Sequence, residues 1–156
     1  MTPIDLRVFL PQSAEDVFAV ADDIIKCLSV AGNGPLDPEI IPYLSRYPHT
    51  VYLFYDADKV MAFIRLDDRG NDPELGKNTV EIHGTILPEY RGHADEPAYM
   101  VMTAAFEKKK TIIAKVDPNN LGAVGFCRKW GFTKINREHG LDVYRLRRTE
   151  FMEQQR

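Results

Sequence analysis

The sequence predicts an α/β fold: a mixed sheet with helices on both faces. Segments of strand period and helix period alternate along the chain, which is the pattern of layered α/β architecture. One stretch, Thr79 to Val116, reads as a strand–helix–strand unit, whose crossover should be right-handed and its strands parallel. The length of 156 residues, with 44% hydrophobic and 28% charged content, suits a single domain over residues 1–156 with one core.

Each element has its own signal. Ile4 to Leu10 alternates apolar and polar residues and opens the chain as a strand. Ser13, three residues before Asp16, marks a helix start, and Val17, Ala21, Ile24 and Leu28 follow at helical spacing. Gly32-Asn33-Gly34-Pro35 ends that helix, and a second helix falls within Pro38 to Tyr47. Val51 to Tyr55 and Val60 to Leu66 form a strand pair about the turn Asp56-Ala57-Asp58-Lys59, with Tyr52, Phe54 and Phe63 as core candidates. Asp67 to Asn78, rich in glycine, proline and charge, reads as an exposed loop. Thr79 to Leu87 is the strongest strand, stopped by Pro88. A helix then runs from Asp95 or Glu96 to about Lys109, with Pro97 tolerated in its first turn. Thr111 to Val116 is an apolar strand, and Pro118-Asn119-Asn120 starts a helix that ends at Gly131. Phe132 to Ile135 and Leu141 to Leu146 close the chain as two strands joined at His139-Gly140.

Composition excludes several classes. No run of about 18 apolar residues occurs, so no transmembrane helix is expected. The first ten residues lack the pattern of a signal peptide. Cys27 and Cys127 form no CxxC pair, which speaks against a disulfide framework or zinc knuckle and fits a reducing cytoplasm. His83, His93 and His139 lack ligand spacing, so no metal is expected. The net charge of −3 gives no support for a nucleic-acid partner. Lys108-Lys109-Lys110 reads as a helix C-terminus complementing its dipole. Arg145, Arg147 and Arg148 could meet an anionic partner, although solvated edge charges are the simpler reading.

Two segments carry chemistry. The first runs from Val80 to His93, a strand leading through Pro88-Glu89-Tyr90-Arg91-Gly92 into a helix start, where backbone N–H groups can cradle a pyrophosphate. The second is Asn120 to Phe132. It carries Asn120, Ala123 three residues on, Phe126, and Gly131-Phe132 eleven residues after the Asn. This spacing, downstream of the first segment, resembles the GNAT N-acetyltransferase superfamily. The Pro-Glu-Tyr-Arg-Gly loop is similar to that of small phage-encoded members.

The resemblance implies a mainly antiparallel central sheet with a splayed parallel strand pair and helices on both faces. It implies acetyl-CoA as co-substrate and transfer of its acetyl group to a primary amine by direct attack, on a small molecule or a protein. Coenzyme binding would fall to the backbone of Ile86 and Leu87, to Arg91, Gly92, His93, Ala94 and Asp95, and to Asn120 and Phe126. Glu81 and His83, two apart and so on one face of their strand, are the candidate bases. Cys127 stands where many members place the tyrosine that protonates the departing thiolate, so its thiol is a candidate acid or a small core hydrophobe. Ala94 and Glu96 depart from the family's usual small residues, and Glu96 adds negative charge where a pyrophosphate should sit. These departures support an alternative: a degenerate GNAT-fold binding or assembly component. A coenzyme A-binding regulator is a third reading, and a homodimer is the oligomer considered.

Overall fold

A computed structural model of the chain describes residues 3–30, 37 and 39–155. In order, the elements are β1 (Leu6–Phe9), α1 (Ala14–Ala19), α2 (Ala21–Val30), α3 (Ile40–Leu44), β2 (His49–Asp56), β3 (Lys59–Asp72), β4 (Gly76–Ile86), a 3-10 turn (Pro88–His93), α4 (Asp95–Lys108), β5 (Thr111–Val116), α5 (Leu121–Lys129), β6 (Thr133–Glu138), β7 (Leu141–Arg147) and α6 (Arg148–Gln154). The seven strands follow the sheet order β1-β2-β3-β4-β5-β7-β6. The sheet is mostly antiparallel, while β4 and β5 run parallel as the crossover requires. The Gly32 to Pro35 stop and Pro38 lie outside the described residues.

The chain gathers into two compact units, residues 1–67 with 83–101, and residues 68–82 with 102–156. In the first, Ser13 caps α1: its hydroxyl accepts the Asp16 N–H at 3.2 Å, and the Asp16 carboxylate accepts the Gln12 N–H at 3.0 Å. The single helix expected here is two. α1 closes at Val20 on a tight bond to Val17 O, and α2 restarts at once with Ile24 N–H donating to Val20 O. Asp22 and Asp23 favour this restart, because carboxylates suit the unpaired N–H groups of a first turn. Ile24 and Cys27 on α2, Leu44 on α3, Leu53 and Phe54 on β2, and Met61 and Phe63 on β3 are fully buried. Burial of successive residues from Val60 to Ile64 shows that both faces of β3 are covered, as a continuous apolar run demands. Tyr52 is only half-buried.

In the second unit, the stretch expected as an exposed loop is hairpin. β3 continues to Asp72 and β4 begins at Gly76. Asp72 Oδ1 accepts the N–H groups of Glu74 and Leu75 at 2.8 and 3.0 Å and so closes the turn. Charge does not expel the arms, because Asp68 holds Lys109 Nζ at 2.8 Å. Asn71 Oδ1 also accepts the Asn78 N–H at 2.9 Å. Beyond the expected strands lies α6, whose Phe151 packs against Phe106 with ring centroids 5.1 Å apart. The parallel ladder pairs Thr79 with Thr111, Val80 with Ile112 and Glu81 with Ile113. It ends there, although β4 continues to Ile86 and β5 to Val116.

Candidate active site

Glu81 and His83 meet different surroundings. Glu81 is buried in the second unit, with Arg69 Nε and Nη2 at 3.1 and 3.0 Å from Oε1 and Lys115 Nζ at 3.9 Å. Lys115 also lies 3.4 Å from Glu138. Two cations thus converge on one buried carboxylate oxygen, the arrangement of a charge anchor.

His83, in the first unit, is served by a residue the sequence reading assigns to a loop. Asp67 is buried at the point where β2 and β3 pair His49 with Asp67. Its Oδ1 lies 2.6 Å from His49 Nδ1 and 3.0 Å from Arg65 Nε, and its Oδ2 lies 3.4 Å from His83 Nε2. Burial alone would raise the Asp67 pKa. The His49 hydrogen bond, with His83 and the Arg65 charge close beside the carboxylate, instead holds it well below the ordinary carboxylate range. The exposures divide the two imidazoles: the His49 side chain is 4% exposed and that of His83 is 35%. His49 is shut in beside the Tyr43 ring, centroids 4.2 Å apart, while His83 reaches solvent with a fixed anion behind it.

The turn after β4 belongs to the same unit. Leu87 is buried; its N–H donates to Met61 O at 2.8 Å, and its carbonyl accepts the Tyr90 N–H at 2.9 Å. Of the two residues expected to pair with a pantetheine arm, Leu87 therefore has its N–H already engaged. Tyr90 fixes the 3-10 turn by donating its hydroxyl to Asp56 at 3.1 Å. Arg91 and Gly92 are exposed, and His93 and Ala94 half-buried. α4 then opens with Asp95 and Glu96, both exposed, and with Pro97, which has no N–H. The Ala98 N–H already donates to Ala94 O at 3.2 Å. This start is poorer in anion-binding groups than a helix N-terminus usually is.

The Asn120 to Phe132 segment has a structural logic of its own. Asn120 caps α5, its side-chain oxygen accepting the Ala123 N–H at 3.2 Å. At the other end Phe132 N–H donates to Cys127 O and Gly131 N–H to Arg128 O, with Gly131 at φ +78. Those two bonds make a Schellman cap, which needs a left-handed residue where the glycine stands. Phe126 is half-buried and packs against Phe132, ring centroids 5.9 Å apart. Cys127 has no exposed surface, and burial pushes its thiol up to about 12. A thiol so enclosed packs as a small hydrophobe and stays protonated.

With this geometry in hand, comparison with known proteins identifies the family. The sequence profile of the acetyltransferase (GNAT) family matches residues 17–132. No curated protein matches the chain. Among solved structures, the GNAT domain of S. lividans PAT superposes with a TM-score of 0.72 at 14% identity, covering 91% of this chain and 90% of that one. A spermidine N-acetyltransferase variant, SpeG from Vibrio cholerae, gives 0.71 at 13% identity over 97% and 98%. The protein yncA from Salmonella typhimurium, solved with its cofactor acetyl-CoA, gives 0.67 at 14% over 91% and 93%. At these identities the likeness is one of fold. The profile match spans well over half the chain and takes in the parallel pair, the Arg91-Gly92 turn and the capped α5. The chain therefore belongs to the acetyltransferase (GNAT) family, and acetyl transfer is the general class of its chemistry.

Proposed function

We propose that this protein moves an acetyl group from acetyl-CoA to a primary amine, with His83 as the base that deprotonates the acceptor. The observation that carries the choice of residue is the buried Asp67 carboxylate behind a half-open imidazole. Acetyl-CoA supplies the activated acetyl group. The acceptor arrives as an ammonium, and His83 takes its proton at Nδ1, the nitrogen that does not face Asp67. Asp67, with its Oδ2 3.4 Å from Nε2, stabilises by its charge the imidazolium that results. The neutral amine is then the nucleophile. Glu81 serves in this reading as a charge anchor for Arg69 and Lys115, and Cys127 as core. Residues Ile86 and Arg91 to Asp95 are assigned to the coenzyme on the first unit, and Asn120 and Phe126 on the second.

The open start of α4 favours a second reading. Asp95, Glu96 and Pro97 together weaken anion binding, which suits a family member that binds or assembles without turnover.

Release of free coenzyme A over a panel of amines, polyamines included, tests the first reading. His83→Ala should lower kcat/KM by about 10²- to 10⁴-fold with acetyl-CoA affinity unchanged, and added imidazole should restore part of the rate. Glu81→Gln should lower stability while leaving the rate of the folded fraction near that of the parent. An unaffected His83→Ala enzyme would overturn the assignment of the base. Acetyl-CoA that fails to bind the parent chain at about 1 mM would turn the case to the second reading.

A further inference from the structure

The second unit carries a cleft of about 510 Å³ that none of the chemistry above employs. It lies where β4 and β5 begin and β7 ends. Lys77, Lys110, Arg145, Arg147 and Arg148 line it, with Glu74 as the one acid. Such a gathering is unusual in a chain of net charge −3. Five other cations of this unit hold carboxylates: Arg69 pairs with Glu81, Lys109 with Asp68, Lys115 with Glu138, and Lys134 and Arg137 with Asp142. Among the described residues, none of the five lining cations has such a partner. Arg145 Nε is moreover buried with no hydrogen-bond acceptor. A buried donor without an acceptor is costly, and like charges held together raise each other's energy, so the cleft is short of an anion.

The frame holds these cations in place. Arg147 pairs with Thr111 across β7 and β5, and the Arg148 N–H donates to Lys110 O at 2.9 Å. The Lys110 N–H donates in turn to Asn78 O at 3.0 Å. Leu75, which also lines the cleft, packs with Ile113 and Val143 as part of a small apolar core. Gly76 keeps the wall thin: it sits at φ +126, and a Cβ there would stand 3.1 Å from Thr111 Oγ1.

We propose that this cleft binds a small oxyanion carrying two or more negative charges. The size is that of a small-molecule site. Arginine forks match the oxygens of phosphates and carboxylates alike, so phosphate-bearing and polycarboxylate ligands share the chemistry. An extended polyanion is disfavoured by the overall negative charge.

Calorimetric titration of the whole chain with inorganic pyrophosphate and, separately, with citrate tests this. One anion or both should bind at one site with Kd below about 1 mM at low salt, and more weakly as salt rises. Arg145→Gln with Arg147→Gln should weaken binding about tenfold or more. Lys77→Gln with Lys110→Gln, which touches only exposed side chains, should do the same and guards against a folding defect in the arginine pair. Preference for pyrophosphate would assign a phosphate ligand, and preference for citrate a polycarboxylate. Failure of both anions to bind, or binding indifferent to the lysine pair, would overturn the proposal. So would displacement of the anion by acetyl-CoA, or tighter binding of a duplex oligonucleotide at the same residues.

Discussion

Asp67 concentrates more of the first unit's electrostatics than any other side chain described there. One carboxylate lies 3.4 Å from His83, bonds the enclosed His49 and pairs with Arg65. Because its pKa is depressed in the folded chain, the unfolded chain takes up the proton first as pH falls. Asp67 therefore adds its full stabilisation above about pH 4, the ordinary aspartate range, and loses it progressively as pH drops toward the folded value. Urea unfolding from pH 7 to pH 3 should show the parent losing stability below about pH 4. Asp67→Asn should start about 3–5 kcal/mol lower at neutral pH, since removing one member of a buried charge set strands the others. The gap between the two proteins should narrow as the medium becomes acidic; a constant gap would contradict the depressed pKa. None of this is legible from residue types alone. His49 and Asp67 stand 18 residues apart in sequence and meet through sheet register, so Asp67 passes as one more loop charge. His83 is visible by contrast, because a histidine two places from a glutamate on a strong strand shows which face both occupy.

Among the elements, α4 is the one on which the proposed coenzyme site leans most. Its first turn presents Asp95 and Glu96, and Pro97 removes an N–H. Glu96→Gln should tighten acetyl-CoA binding about two- to fivefold at low salt, the size of one charge at a helix terminus. Unchanged or weaker binding by calorimetry would place the pyrophosphate elsewhere. The elements also show where sequence reading reaches. Ser13 and Asn120 advertise their helix starts, because each side chain closes a local hydrogen bond only three residues away. Gly131 advertises a helix end, because few other residues tolerate its φ of +78. The break at Val20 has no glycine or proline to announce it. The β3–β4 hairpin is hidden for the opposite reason: Gly70, Pro73 and Gly76 look like a loop, while the Asn71–Asn78 bond and the Asp68–Lys109 pair that tie its arms join residues further apart in sequence. α6 follows directly on β7, and Arg147 and Arg148 at their junction read as surface charge until Phe151 is seen against Phe106.

At the scale of the molecule, β3, β4 and α4 each run through both compact units. Neither unit can lose its structure without cutting an element that the other needs, so unfolding should be a single cooperative event. The means of checking this is already in the chain. Trp130 is the one tryptophan among 156 residues, and it stands at the C-cap of α5 with its carbonyl accepting the Gln154 amide at 2.9 Å. Emission excited selectively at the indole, beyond tyrosine absorption, is therefore a report on the second unit, whereas far-ultraviolet circular dichroism sums both. Coincident urea midpoints by the two signals would support one cooperative transition; an emission change separated from the dichroism change would show the units melting apart. The solitary indole thus gives this protein a built-in optical label, confined to one half of its structure and requiring no chemical modification.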